Sequence, residues 1–346
     1  MSTRSKILNL TTADFIVRTA YQMGKTPLLP LFAAGLGANS TFLGFIVSAS
    51  TLTGMFLKPL FGMLSDRLGR WIWFFLGALL FSIFPFFYLW VENSHQLLIL
   101  RLLHGTATAI YGPVTVAWII EQGKEEGRID CNCAERLGWF GMGRSAGYML
   151  GPLLGAAFLT VFEPEVVFVS IGFFSLSAFL PILLLKNLRI PVKPHKSLRR
   201  QFKDAMRSGF QTAELWLAGL LEFVVYIGLY SAKAFLPLYA LQQNIPVFWV
   251  GLFFTVQELI HLVARPFGGR LSDRKGYLPV TASGMLLAAF SLGLMPFATS
   301  YQPLLLLAIG FGLAQALIFP SIIALYAQKI DSHHTGAGAG IIGSFK

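Results

Sequence analysis

Residues 58–70 read Lys58-Pro-Leu-Phe-Gly62-Met-Leu-Ser65-Asp66-Arg67-Leu-Gly69-Arg70, and this stretch occurs twice. The second copy reads Arg265-Pro-Phe-Gly-Gly269-Arg-Leu-Ser272-Asp273-Arg274-Lys-Gly276-Tyr277, an offset of 207 residues from position 62 to position 269. The same offset maps residues 29–33 onto 236–240, and it maps Gly44, Gly105 and Pro113 onto Gly251, Gly312 and Pro320. A constant offset over several segments predicts two copies of one structural unit.

Long uncharged runs indicate what the two copies are built from. Residues 71–91, 102–120, 145–162 and 166–185 contain no charged side chain, and residues 277–328 form a run of 52. Only 12% of the 346 residues are charged, about half the share of a soluble domain. Each run can cross a hydrocarbon core of ~30 Å as a helix, which satisfies its own backbone hydrogen bonds. The sequence therefore predicts an all-α integral membrane protein with about ten or eleven transmembrane helices.

The net charge of +11 is distributed unevenly among the predicted loops. Alternate loops, near residues 35–41, 92–96, 162–165, 242–246 and 299–302, contain no Lys or Arg. The loops between them carry the basic residues, which places those loops and the N-terminus in the cytosol of a cell with this protein in its plasma membrane. The basic balance then reflects contact with anionic lipid headgroups and argues against nucleic-acid binding.

The domain organisation follows from the repeat. Residues 1–186 are predicted to form a six-helix bundle, residues 187–211 a basic cytosolic linker, and residues 212–346 a second bundle with crossings seven to ten. Six crossings return the chain to its starting side, so both copies should have the same orientation. The second copy stops where an eleventh crossing would start, near Gly336. We expect either a truncated form or further crossings supplied elsewhere.

The duplicated stretch resembles a loop signature of the major facilitator superfamily. Gly62-x-Leu-x-Asp66-Arg67-x-Gly69-Arg70 resembles the signature between crossings two and three, and the copy from Gly269 to Gly276 resembles the weaker one between crossings eight and nine. The resemblance implies two parallel-repeat six-helix bundles that work as a secondary transporter. It also implies a cytosolic gate, in which the loop aspartate contacts the start of crossing eleven. The gate residues would be Gly62, Asp66, Arg67, Gly69, Arg70, Gly269, Asp273, Arg274 and Gly276; the alternative is that the charged ones are ordinary solvated loop residues.

Two further patterns resemble the same family. Leu100-Arg101-Leu-Leu-His104-Gly105 resembles its fourth crossing, with His104 where glutamine is usual, and implies an intramembrane arginine. The alternative is that Arg101 extends to the outer headgroups. Residues 138–156 resemble the fifth-crossing pattern of its antiporters, with Ala156 in place of the last glycine. That pattern implies proton-coupled export and a hinge formed by Gly138, Gly147, Gly151, Pro152 and Gly155; the alternative is a packing seam of small residues.

Ionisable residues inside the predicted membrane are candidates for function. For proton coupling a carboxylate must titrate near neutral pH, and removal from water favours its protonated form. The candidates are Glu258, Glu222, Asp14, Arg101 and His261. Glu258 is named first because of its predicted depth in the membrane. A fixed ion pair is the alternative for each of these, above all for Asp14, because Arg18 follows at i+4. Lys25 and Lys233 could attract an anionic substrate into a cavity, or neutralise the acids.

We therefore expect a proton-coupled antiporter that exports small amphipathic compounds by alternating access. Its partners would be the substrate, protons and the lipid bilayer, and it would act as a monomer. No enzyme activity, cofactor or metal is expected. Gly336–Gly340 lacks the strand and the Lys-Ser/Thr of a phosphate loop, so we expect an ion gradient and not ATP to be the energy source. One alternative is a proton symporter or exchanger for organic anions. Another is a non-transporting or inactive truncated membrane protein.

Overall fold

The computed structural model of the chain describes residues 3–124, 133–185 and 213–327. Within them, the side chains of residues 3–4, 66–67, 120–137, 213–215 and 326–327 are not described. The regular structure in these ranges is entirely helical. The chain divides into two compact units, Met1–His195 and Lys196–Lys346, here called the N-terminal and C-terminal units. The predicted linker, residues 187–211, and the expected start of crossing eleven lie outside the described residues.

The described elements of the N-terminal unit are eight α-helices, one π-helical turn and one 3-10 turn. In chain order they are α1 (Thr3–Met23), the π turn (Gly24–Leu28), α2 (Leu29–Gly35), α3 (Ser40–Leu68), α4 (Arg70–Phe87), the 3-10 turn (Tyr88–Trp90), α5 (Ser94–Lys124), α6 (Cys133–Leu159), α7 (Pro164–Leu176) and α8 (Phe179–Leu183). The Asn39 side chain caps α3 by accepting a hydrogen bond from the Phe42 amide at 2.8 Å.

Four helix pairs build the N-terminal unit: α1 packs on α6, α3 packs on α5, and α4 packs on both α5 and α7. The core between them is aromatic, with Phe74 stacked on Tyr111 at a centroid distance of 4.9 Å and edge-on to Trp118. All three rings are buried. This core fixes α5 at the centre of the unit, where its polar side chains are enclosed by other helices.

The C-terminal unit repeats part of this plan. Its described elements are α9 (Ala213–Gln242), α10 (Val247–Lys275), α11 (Tyr277–Leu294), a 3-10 turn (Met295–Phe297) and α12 (Tyr301–Ala327). The offset of 207 residues maps α3 onto α10 and α4 onto α11 at both ends, and it maps the two 3-10 turns onto each other. The contacts repeat as well, since α10 and α11 both pack on α12.

Eight helical segments in the described part of the chain are long and apolar enough to cross a membrane. They are Ser40–Ser65, Arg70–Trp90, Ser94–Ile119, Pro164–Leu183, Trp216–Gln242, Val247–Lys275, Tyr277–Phe297 and Tyr301–Leu325. The two other long helices, α1 and α6, have 21 and 27 residues and contain the charged residues Asp14, Arg18 and Arg144. The all-α membrane fold predicted from the sequence is confirmed.

Candidate functional site

A buried carboxylate joins α1 to α6 in the N-terminal unit. Asp14 has no exposed surface, and the Arg144 guanidinium donates two hydrogen bonds to it, Nε to Oδ2 at 2.9 Å and Nη2 to Oδ1 at 3.0 Å. Arg18, the partner expected from the sequence, is also close, with Nε 3.6 Å from Oδ1. Arg144 donates a further bond to Thr115 Oγ1 at 3.0 Å. Two arginines on one carboxylate favour a fixed ion pair over a proton-binding role for Asp14.

Sequence reasoning missed Arg144. It lies 130 positions from Asp14, so no local spacing connects the two. The signal that was present is its position immediately before the uncharged run of residues 145–162. A charge at the edge of such a run has to find a partner on another helix or reach water.

A second polar cluster of the N-terminal unit surrounds Arg101 on α5. Arg101 is 2% exposed, so it does not extend to headgroups, and that alternative for this residue is wrong. Its Nη2 donates to Ser50 Oγ at 2.6 Å and its Nη1 to the Tyr88 hydroxyl at 3.5 Å. The Tyr21 hydroxyl lies 3.0 Å from Ser50 Oγ, and the Tyr88 hydroxyl lies 3.3 Å from His104 Nδ1. No pattern in the sequence pointed to Tyr21, Ser50 or Tyr88.

Lys25 belongs to the same region of the N-terminal unit. It lies in the π-helical turn between α1 and α2, and it is 6% exposed. Its Nζ is 5.6 Å from the centroid of the Tyr21 ring, a cation–π distance. Lys25 therefore adds a second positive charge to the surroundings of Arg101.

The titratable residues predicted for the second half lie on α9 and α10 of the C-terminal unit. On α10, Glu258 Oε1 and His261 Nδ1 are 3.6 Å apart, with the two side chains 21% and 13% exposed. The positive charges of Lys233 and Arg265 act on the Glu258 carboxyl. Glu222, on α9, is 1% exposed. Next to Glu258, buried Gln257 donates a hydrogen bond to the side chain of Gln315 on α12, which the sequence did not predict.

The glycines of α6 pack against α1. A β-carbon at Gly147 would lie 3.1 Å from the Phe15 carbonyl oxygen, and one at Gly155 would lie 2.5 Å from the Met23 carbonyl oxygen. Gly151 would meet the Gln22 side chain in the same way, and buried Pro152 is next to it inside the helix. These contacts support a packing seam of small residues.

One residue of the predicted hinge lies outside this seam. No atom lies within 4 Å of a β-carbon at Gly138, whereas Gly143, not predicted, contacts Thr11. The reason is helical geometry: nine residues separate Gly138 from Gly147, about two and a half turns, so the two glycines lie on opposite faces of α6. Gly138 therefore does not contribute to the seam with α1, and its place in the predicted hinge stays a prediction.

The two predicted gate hairpins have matching backbones. Gly69 between α3 and α4 has a φ of +91°, and Gly276 between α10 and α11 has a φ of +90°. A β-carbon at Gly62 would lie 3.9 Å from Pro113 Cβ, and one at Gly269 would lie 3.8 Å from Pro320 Cβ.

The charged side chains that the structure describes in the two hairpins are those of Arg70, Asp273 and Arg274. Arg70 donates a hydrogen bond to Ser65 Oγ. Exposed Asp273 accepts one from the Tyr277 hydroxyl at 3.2 Å, and Arg274 is exposed. The side chains of Asp66 and Arg67 lie outside the described residues, as does the segment near Gly336 that the gate would contact.

The amino-acid sequence is similar to those of known membrane transporters. The chain is 25% identical over 343 residues to the uncharacterized MFS-type transporter YuxJ of Bacillus subtilis, covering 96% of this chain and 86% of that protein. It is 25% identical over 311 residues to the multi-drug resistance efflux pump PmrA of Streptococcus pneumoniae, covering 87% of this chain and 76% of the pump.

The fold has a close match among solved structures. A crystal structure of the nucleoside transporter NupG, in a mutant form, superposes with a TM-score of 0.81 at 16% identity, covering 98% of this chain and 86% of that chain. The sequence profile of the Major Facilitator Superfamily matches residues 14–346. The family predicted from the duplicated stretch is therefore confirmed, and the chain is a multi-pass membrane protein that belongs to the Major Facilitator Superfamily.

Proposed function

We propose that this chain is a proton-coupled antiporter that exports small amphipathic compounds across the plasma membrane, with its N-terminus in the cytosol. Membership of a transporter family supports the general activity. The name of one relative, a multi-drug resistance efflux pump, supports export. The one-sided distribution of Lys and Arg among the loops supports the orientation. Substrate and protons would bias an equilibrium between states open to either side.

The pair of Glu258 and His261 carries the coupling part of the proposal. A coupling group has to exchange protons with water, and it has to lose or gain charge where charge is costly. The Glu258 side chain is 21% exposed and its Oε1 lies 3.6 Å from His261 Nδ1, so the imidazole is positioned to share a proton with it. Asp14 is fully buried under two arginines and Glu222 is 1% exposed, which favours Glu258 over both.

The test is transport into proteoliposomes with an imposed pH gradient. The probe is a fluorescent amphipathic cation such as ethidium, and proton movement is followed with a pH-sensitive dye inside the vesicles. We expect Glu258→Gln to abolish accumulation driven by the gradient, while exchange of probe at equal pH on both sides continues. Glu92→Gln is the matched control, because that carboxylate is exposed in a loop. Unchanged gradient-driven accumulation in Glu258→Gln would show that this residue does not couple protons.

The same vesicles separate a second candidate, exchange of organic anions. Buried Lys25 in the N-terminal unit is the observation that favours it, because the positive charge of a buried ammonium attracts an anionic substrate strongly where water is excluded. In that case the protein would transport an anionic fluorophore across the vesicle membrane and would not transport ethidium. The gate residues of the two hairpins are assigned to the cytosolic side under either function.

A further inference from the structure

Arg101 has no counter-charge in the described part of its unit. The guanidinium is 2% exposed and is surrounded by hydroxyl groups: it donates to those of Ser50 and Tyr88, and that of Tyr21 also interacts with it. The buried carboxylate of the unit among the described side chains is Asp14, which already carries two arginines. Lys25 adds positive charge nearby. A buried cation of this kind is costly unless an anion compensates it.

The directions of the hydrogen bonds show which N–H donors of this cluster have no acceptor. Arginine can only donate, so the Tyr88 oxygen accepts from Arg101 and its own proton is free to point at His104 Nδ1. A Tyr88 proton directed at Nδ1 corresponds to the imidazole tautomer with its ring proton on Nε2, and we assign that tautomer here. Both His104 Nε2 and Arg101 Nε are buried without a hydrogen-bond partner. Two buried N–H donors therefore await an acceptor.

Both residues line one small cavity of the N-terminal unit. Its walls include the aromatic rings of Tyr21, Phe81, Tyr88 and Phe168 and the backbone at Gly24. The cavity holds about 10 Å³, on the order of one water-sized particle. A chloride ion is somewhat larger than a water molecule and would fill this cavity completely, whereas an amphipathic substrate is far too large for it.

The other repeat shows that the fold does not require these polar groups. Shifted by 207 residues, Tyr88, Arg101 and His104 correspond to Met295, Ala308 and Phe311. The three counterparts are buried and belong to the apolar core of the C-terminal unit. The same helix pair thus packs with an apolar filling, and the cost of burying Arg101 points to a ligand.

We propose that the N-terminal unit binds one small monovalent anion, of which chloride and bromide are the test cases, at the cavity lined by Arg101 and His104. A halide only accepts hydrogen bonds and carries the missing charge, so it suits two orphan N–H donors and an uncompensated guanidinium. A water molecule would fill the space but not balance the charge. The site is separate from Glu258 and its existence does not depend on the direction or coupling of transport.

The experiment measures the apparent melting temperature of the full chain in detergent micelles, by size-exclusion chromatography after heating. Chloride replaces gluconate at constant ionic strength, because gluconate is too large for the cavity. We expect the melting temperature to rise and saturate with chloride and with bromide, as for a ligand that binds only the folded state. His104→Leu, which removes one N–H donor and keeps the apolar volume, should raise the chloride concentration needed by about tenfold.

Arg101→Gln should abolish the chloride response, and Arg270→Gln, which removes an exposed arginine of α10, should leave it intact. Equal melting temperatures in chloride and gluconate for the unmodified chain would mean that the cavity holds water only, and would overturn the proposal. A full response in Arg101→Gln would overturn it too. If Arg101→Gln does not fold, His104→Leu decides: a weaker response supports the anion site, and an unchanged response refutes it.

Discussion

The two repeats share a backbone to the level of single residues. In the N-terminal unit Gly105 approaches the backbone of Ser50, and in the C-terminal unit Gly312 approaches that of Gln257, which is Ser50 shifted by 207 residues. The turns before α3 and α10 use the same three backbone hydrogen bonds, and each contains a positive φ, +76° at Gly37 and +56° at Asn244. Packing and turn geometry are thus shared between the repeats.

The buried chemistry of the repeats is different. The N-terminal unit encloses charges, with Asp14 between Arg18 and Arg144, and Arg101 among hydroxyl groups. In the C-terminal unit position 14 corresponds to Leu221 and position 101 to Ala308. The C-terminal unit nevertheless buries the carboxylate of Glu222, one position from the counterpart of Asp14. Its other buried polar groups include the amides of Gln257 and Gln315, with the pair of Glu258 and His261 partly buried.

This difference separates what the fold needs from what it tolerates. Gly105 and Gly312 recur at helix contacts because a side chain there would overlap backbone atoms. Gly69 and Gly276 recur at the hairpins, where φ is positive. The buried charges of Asp14 and Arg101 have the apolar counterparts Leu221 and Ala308, so they are not required for the helices to pack. Each buried charge then has to be stabilised by a partner within its own unit or by a ligand.

The largest effect is expected at Asp14, a buried charge whose counterpart in the second repeat is Leu221. Asp14→Asn leaves two arginines without their carboxylate, and we expect the free energy of unfolding to fall by about 3 kcal/mol or more. The measurement is the apparent melting temperature in detergent, with exposed Glu163→Gln as the control. Adding Arg144→Gln should recover part of the loss, because the two side chains interact directly. An additive loss in the double variant would show that the ion pair is not what Asp14 contributes.

The sequence predicted the features that repeat and missed those that do not. The fold class was predicted from the long uncharged runs, and the family and the paired hairpins from a motif that occurs twice in the chain. Gly62 and Gly269, which belong to that motif, have matching neighbours. Local spacing also found the Asp14–Arg18 contact, because residues at i and i+4 share a helix face.

The remaining contacts join different crossings, and spacing within a helix carries no information about them. Arg144 reaches Asp14 from another helix, and Ser50 and Tyr88 meet Arg101 from separate elements. The family pattern groups Gly138 with Gly147 by sequence alone, and helical geometry places the two glycines on opposite faces of α6.

A second prediction tests whether the matching helix contacts at Gly105 and Gly312 are equally important for stability. A β-carbon at Gly105 would lie 2.8 Å from the Ser50 carbonyl oxygen, and one at Gly312 would lie 2.5 Å from the Gln257 carbonyl oxygen. Gly105→Ala and Gly312→Ala should therefore each lower the free energy of unfolding by about 2 kcal/mol, because backbone atoms have to move. Heated samples analysed by size exclusion give the two values side by side.

The matched controls for this pair are Gly62→Ala and Gly269→Ala. There the new carbon would lie 3.9 and 3.8 Å from a proline side chain, an ordinary contact. Since alanine favours helix over glycine by up to ~1 kcal/mol, these two variants should be neutral or slightly stabilised. If only one of Gly105→Ala and Gly312→Ala lowered the free energy of unfolding, the two helix contacts would contribute differently to stability despite their equal geometry.

The smallest expected effect sharpens the comparison at the turns. Gly69 and Gly37 both have open space around a β-carbon, so asparagine at either position tests the backbone alone. Gly69 has φ +91° and ψ 145°, a region nearly restricted to glycine, and Gly69→Asn should cost about 1 kcal/mol. Gly37→Asn should change stability by less than about 0.5 kcal/mol, because the second repeat already has Asn244 there with φ +56°. If both variants lose the same amount, backbone conformation is not the reason why Gly69 and Gly276 recur while Gly37 does not.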